Sequence, residues 1–179
     1  FENCTSLETV PEDLFAGMDK ISTATSLFAG SGIREIPANL FGGNPAITKL
    51  DKAFLGCGKL TSLPDGLFAK NNKVSAYTST FQDCTALESV GVLFGQNPTS
   101  SMKCDLMFAG CTSLKALPEG MFDGLTGATT FLNAFKDCSA LETLPEGLFA
   151  KNVNVTTVAT CFQNCTSLKA VPSRMFEAN

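Results

Sequence analysis

Phenylalanine sets the rhythm of this chain. Stepping from Phe1, the residue returns at Phe28, Phe54, Phe81, Phe108, Phe135 and Phe162, at intervals of 27, 26, 27, 27, 27 and 27. Three places on runs a small, sulfur-rich column of Cys4, Ser31, Cys57, Cys84, Cys111, Cys138 and Cys165. An aliphatic column follows at Leu7, Ile33, Leu60, Leu87, Leu114, Leu141 and Leu168. Another lies three positions further, at Val10, Ile36, Leu63, Val90, Leu117, Leu144 and Val171. Proline comes next in every unit but one, where Gly91 stands. A second Phe column (15, 41, 68, 94, 122, 149, 176) places fourteen of the fifteen Phe in two columns. Recurrence at a fixed period of this length marks an array of coils in which each residue packs on its counterpart one coil away.

The second half of each unit is looser. Seven places before each leading Phe stand Ile21, Ile47, Val74, Ser101, Ala128 and Val155; four before stand Ala24, Leu50, Tyr77, Cys104, Phe131 and Val158. β-Branched residues behind turn residues in 73–78 and 154–160 predict one short strand per unit. Proline after an apolar anchor in 117–122 and 144–149 predicts a short helical or 3₁₀ turn on the convex side, with the following Phe turned inward. One-residue length changes fall in turn-rich segments, and 91–105 is the most degenerate stretch, where a kink or an unpaired coil is expected. One strand and one tight turn per unit describe an α/β repeat solenoid, a right-handed leucine-rich-repeat coil stack. It forms a single domain over 1–179, with units beginning at the seven leading Phe. Each coil buries two Phe and about four aliphatics, on the order of 10 kcal/mol gross. Backbone ordering at about 1–2 kcal/mol per residue offsets this, so a lone coil is unstable and stacking is obligatory. Apolar columns run into both ends, so the chain is expected to be a fragment of a longer array.

The repeated Phe-x-x-Cys-[Thr/Ser/Gly]-x-Leu followed by an aliphatic–Pro pair resembles the BspA-like leucine-rich repeats of bacterial surface proteins. Residues 107–118 (MFAGCTSLKALP) and 134–145 (AFKDCSALETLP) carry the resemblance most closely. Residues 117–131 also resemble the leucine-rich repeats of eukaryotic receptors. The resemblance implies a cell-surface or secreted scaffold that adheres to host proteins, glycans or partner cells and performs no catalysis. A structural spacer without its own ligand is the alternative.

Charge narrows the picture. A net charge of −4 and the absence of any basic run argue against nucleic acid as a partner. The apolar runs are too short to span a bilayer, so this segment is not expected to insert into a membrane. There is no His, which removes the commonest general base and metal ligand, and no paired carboxylates repeat with catalytic spacing. Neither an enzyme nor a cofactor is expected. One charged column, Glu8, Arg34, Thr61, Glu88, Lys115, Glu142 and Lys169, alternates in sign over part of its length and predicts pairing between neighbouring coils.

The eight Cys leave several readings open. Buried thiols acting as small hydrophobes are favoured, because six share one column and Cys104 sits in an apolar one. Rung spacing suits a disulfide, but parallel Cβ vectors oppose it. Zinc lacks a closed set of four ligands, and a reactive thiol lacks a neighbouring base. The candidate binding face is the concave side of the strand column. Its outward residues are Thr48, Lys49, Asp51, Ser75, Thr78, Lys103, Asp105, Thr129, Thr130, Thr156 and Thr157, preceded by Ser22, Thr23 and Thr25. This hydroxyl-rich surface reads either as an adaptable docking face or as the ordinary preference of Thr for solvated strands.

Overall fold

The fold is seen in a computed structural model that describes residues 1–177. The leading Phe form one unbroken stack, with neighbouring ring centroids 5.2–5.4 Å apart and planes within 15° of parallel. The second column stacks less regularly, at 5.5–6.2 Å with planes up to 30° apart. The coils therefore lie closer together along the leading column, which is the tighter side of the stack. Phe131, the one Phe outside both columns, packs 4.7 Å from Phe122 and 4.9 Å from Phe149. Tyr77, two rungs away in the same column as Phe131, is fully buried between Phe68 and Phe94.

Consecutive coils pair along two parallel ladders. Strands β1 (Ser62–Leu63) and β2 (Ser89–Val90) belong to one of them, in register Ser62↔Ser89 and Leu63↔Val90. Strands β3 (Met102–Lys103) and β4 (Ala128–Thr130) belong to the other. Single bridges extend this second pairing into six rungs: Thr23, Lys49, Ala76, Lys103, Thr130 and Thr157. The expectation of one strand per unit thus becomes short contacts on different walls of the coil, with a further bridge at Phe68↔Phe94.

The chain turns at the leading Phe by a repeated device. The residues two before it (Ser26, Lys52, Ser79, Leu106, Asn133, Thr160) and two after it (Asn3, Asp83, Asp137, Asn164, or Gly30, Gly56, Gly110) all have positive φ. A left-handed non-glycine residue costs about 1–2 kcal/mol. In return, alternate amides point at the next coil: Ser26, Phe28 and Gly30 donate to the carbonyls of Asp51, Ala53 and Leu55 at 3.0, 2.8 and 2.7 Å.

The expected helical segments on the convex side are not formed; among the described residues the structure has no helix. In the second coil Leu40, Gly42 and Asn44 donate to Pro37, Asn39 and Phe41, a chain of four-residue turns. In later coils Gly66, Gly120 and Gly147 take φ of 66–72° two residues after Pro. A left-handed residue at that point stops any right-handed run.

The degenerate stretch 91–105 keeps its pairing. The ladder register shifts between Met102 and Lys103, opposite Ala128 and Thr130, which makes a β-bulge at Thr129. Met102, fully buried, fills the apolar slot that the spacing assigned to Ser101, which is exposed. Glycine permits the close approach there: a Cβ on Gly95 would lie 2.2 Å from the Ala69 carbonyl oxygen, and one on Gly124 2.2 Å from that of Gly95.

Candidate binding face

On the six-rung ladder, inward and outward positions alternate as a half-buried strand requires. Leu50, Tyr77, Cys104 and Phe131 point into the core. Their neighbours Lys49, Lys103 and Leu132 are exposed, while Asp51, Ala76, Thr78, Asp105 and Thr130 are half-buried. All eleven residues expected to form the face lie along this ladder, so the structure brings them onto one wall. They do not form one kind of surface, however.

Four of the hydroxyls are turned along the stack. Thr48, Ser75, Thr129 and Thr156 donate to the carbonyls of Ser22, Thr48, Met102 and Thr129, one coil back, at 3.0–3.4 Å. The carboxylates are likewise engaged. Asp51 accepts the Thr78 amide at 3.2 Å; Asp105 accepts the Leu132 amide at 3.0 Å and the Thr130 hydroxyl at 2.5 Å. The Thr157 hydroxyl accepts the Ala159 amide at 3.2 Å. Lys49 and Lys103 differ: both are exposed and neither forms an ion pair among the described residues.

The opposite ladder carries the charged column, and there the pairing expected from the sequence is present. Glu8 meets Arg34 at 3.2 Å and Lys59 at 3.7 Å, Glu88 meets Lys115 at 2.9 Å, and Glu142 meets Lys169. The hydrogen bond and charge of Arg34 pull the Glu8 carboxyl below its usual range, and Lys115 and Lys169 do the same for Glu88 and Glu142. This wall is neutralised from within.

The cysteines complete the interior. Cys57, Cys84, Cys111, Cys138 and Cys165 each donate Sγ–H to the carbonyl of the leading Phe one coil back, at 3.1–3.2 Å. All eight are free thiols, Cys4 exposed and the rest buried. Burial raises the pKa of the buried thiols, to about 11 at Cys165 in the column and about 12 at Cys161 beside it. Thiolate chemistry is suppressed there. No group of three or more His, Cys, Asp or Glu among the described residues is placed to hold a metal ion.

A second buried ladder was missed in the sequence reading. Asn44, Asn71 and Asn152 each donate Nδ2 to two carbonyls of the preceding coil at 2.9–3.2 Å, and Asn97 joins the same column. The signal was available, since each stands three residues after a second-column Phe.

No family model matches the chain, and no curated protein sequence matches it. Among solved structures, it is similar to the Toll–Spatzle complex of Drosophila, with a TM-score of 0.51, 19% identity, and coverage of 84% of this chain and 18% of that one. It is also similar to the leucine-rich-repeat domain of the type III effector XopL (TM-score 0.39, 20% identity, 93% and 60% covered). A leucine-rich cell surface protein from Faecalibacterium prausnitzii A2-165 follows (TM-score 0.30, 18% identity, 96% and 74% covered). The chain spans less than two thirds of the first two. The likeness to the Toll structure, together with the repeating columns and parallel ladders, shows the fold: the chain is a leucine-rich-repeat solenoid.

Proposed function

We propose that this chain is a non-enzymatic binding scaffold, secreted or displayed at a cell surface, that adheres to a protein or glycan of a host or partner cell through the six-rung ladder. The observation that carries this reading is the contrast between the two walls. One ladder closes its charges on itself through Glu8–Arg34, Glu88–Lys115 and Glu142–Lys169. The other leaves Lys49, Lys103 and Leu132 facing solvent, and neither lysine forms an ion pair among the described residues. Toll stands in complex with Spatzle in its solved structure, and the Faecalibacterium protein is a cell surface protein; the adhesive, BspA-like reading of this chain extends those properties by analogy of fold. No helix among the described residues is long and apolar enough to cross a membrane.

The spacer reading has its own support, because Thr48, Ser75, Thr129 and Thr156 spend their hydroxyls on neighbouring coils. One experiment separates the two. Wild type, Ala76→Arg on the six-rung ladder and Ser89→Arg on the opposite ladder are passed over immobilised matrix proteins and glycans. The scaffold reading expects saturable binding that Ala76→Arg abolishes and Ser89→Arg leaves intact. Loss in Ser89→Arg alone moves the site to the other wall, and a blank with folded protein favours the spacer.

A further inference from the structure

Buried asparagines pin the convex wall of the stack, and at one junction the pin is missing. Asn44, Asn71 and Asn152 each tie their coil to the one before through two side-chain bonds. The fifth coil carries Leu125 at this position, fully buried and with no side-chain donor. No donor among the described residues reaches the Phe94 or Asn97 carbonyl, the two that an asparagine at 125 would meet. The Asn97 amide also breaks step. Asn44, Asn71 and Asn152 turn theirs back to Phe41, Phe68 and Phe149, whereas Asn97 sends its own forward to Gly124 at 2.7 Å. That one bond stands where the neighbouring junctions have a side-chain pair. The rings loosen too: Phe94 and Phe122, 6.2 Å apart and 30° from parallel, are the widest and most tilted pair of the second column. Backbone lies directly on backbone here, Gly124 against Gly95 and Gly127 against Thr99, so the wall can part without unseating an interlocked side chain.

The ladder wall is closed at the same junction. Cys104, Leu106, Phe108 and Gly110 donate to the carbonyls of Thr130, Leu132, Ala134 and Lys136 at 2.8–3.0 Å. The bulge at Thr129 also falls here, and a bulge is where a paired strand absorbs extra bend and twist. We infer that the solenoid bends between its fourth and fifth coils, the convex wall opening at Phe94–Phe122 while the ladder holds as the pivot. The two halves move as packed bodies, because the second Phe column stacks at 5.5–6.0 Å within each of them. The bend swings the rungs from Thr23 to Lys103 against those of Thr130 and Thr157, and so alters the curvature of the six-rung face. Its use rests on the reading of that ladder as the binding face: the face then adjusts its curvature to the partner and is not fixed.

The test measures distances between paired nitroxide labels on the whole chain, in a Cys4→Ser background because the other cysteines are buried. One pair, Lys70→Cys/Lys151→Cys, spans the junction along the convex wall; the other, Lys49→Cys/Ala159→Cys, spans it along the ladder, and all four sites are exposed. The convex pair should show a second, longer component, and the ladder pair a single narrow one. Leu125→Asn, which supplies the missing donor, should remove the longer component. Asn152→Leu, which takes the pin from the next junction, should enrich it. If Leu125→Asn does not fold, the comparison of the two pairs and the Asn152→Leu variant still decide. A single narrow distance for the convex pair overturns the inference, as does equal broadening of both pairs. So does a longer component that survives Leu125→Asn in folded protein or ignores Asn152→Leu. No ligand enters this experiment, so a rigid convex wall would reject the bend alone, while a blank binding panel would reject the binding face and leave the bend standing.

Discussion

At the residue scale, the interior is held by polar groups whose partners lie one coil away. Asn71 donates to the carbonyls of Phe41 and Asn44 at 3.1 Å each. Asn71→Ala removes one of two donors from each buried carbonyl, which keeps only its turn amide (Asn44 and Ile47), and should cost about 1–2 kcal/mol, read as a lower urea midpoint at unchanged slope. The thiol column behaves differently. Ser31 occupies the same position in the second coil and lies 3.5 Å from Cys57 Sγ, so a hydroxyl is already accommodated there. Cys111→Ser should therefore cost only about 1 kcal/mol, whereas Cys111→Asp should prevent folding, because a carboxylate would be buried where the thiol is fully enclosed. Native protein at neutral pH should take up one alkylating label per chain, at Cys4, and eight after denaturation. Rapid labelling at Cys84 or Cys111 in native protein would contradict the enclosed column.

At the scale of the element, the ladders are so short that their strength comes from repetition and not from strand length. The three carboxylates of the charged wall, Glu8, Glu88 and Glu142, have folded pKa values below their unfolded ones. Their contribution is complete above the unfolded carboxylate range and is lost as pH falls through the depressed folded values. The melting midpoint should thus decline on acidification below about pH 4.5, and Glu88→Gln/Glu142→Gln should flatten that decline. Both glutamates are solvent-exposed, so salt should shrink the difference. In the degenerate stretch, Gly95→Ala should destabilise the fold by more than 2 kcal/mol, as its methyl group would strike the Ala69 carbonyl. A melt equal to wild type would mean the coils can part there.

What the sequence revealed at this scale followed the strength of the columns. The Phe, Cys and charge columns recur with little drift, and their partners in space are their partners in sequence. The turn at the leading Phe was invisible because Lys52, Leu106 and Thr160 adopt left-handed backbone that their identities do not advertise. The missing helices trace to a similar cause, as Gly66, Gly120 and Gly147 set a conformation that the Pro–aliphatic pattern alone does not disclose. On the candidate face, the wall was legible from alternation, but the direction of each hydroxyl was not. Whether Thr156 faces solvent or the Thr129 carbonyl depends on a neighbour 27 residues away.

At the scale of the whole molecule, every coil leans on two neighbours except those at the ends of the described stack. Phe1 is 50% exposed and Val171 66%, whereas the leading Phe from 28 to 135 are fully enclosed. Amide exchange should be slowest around coils three to five and fastest beyond Cys165, as expected when stability is a sum of nearest-neighbour terms. Tyr77 gives a way to watch this with light. It is the only tyrosine, there is no tryptophan, and it lies buried beside Phe68 and Phe94. Its emission therefore reports on the middle of the array alone, while circular dichroism averages over the whole. If the two signals change together on heating, the solenoid melts as one body. If the ellipticity falls first, the ends peel away while the centre still holds its single lamp unchanged.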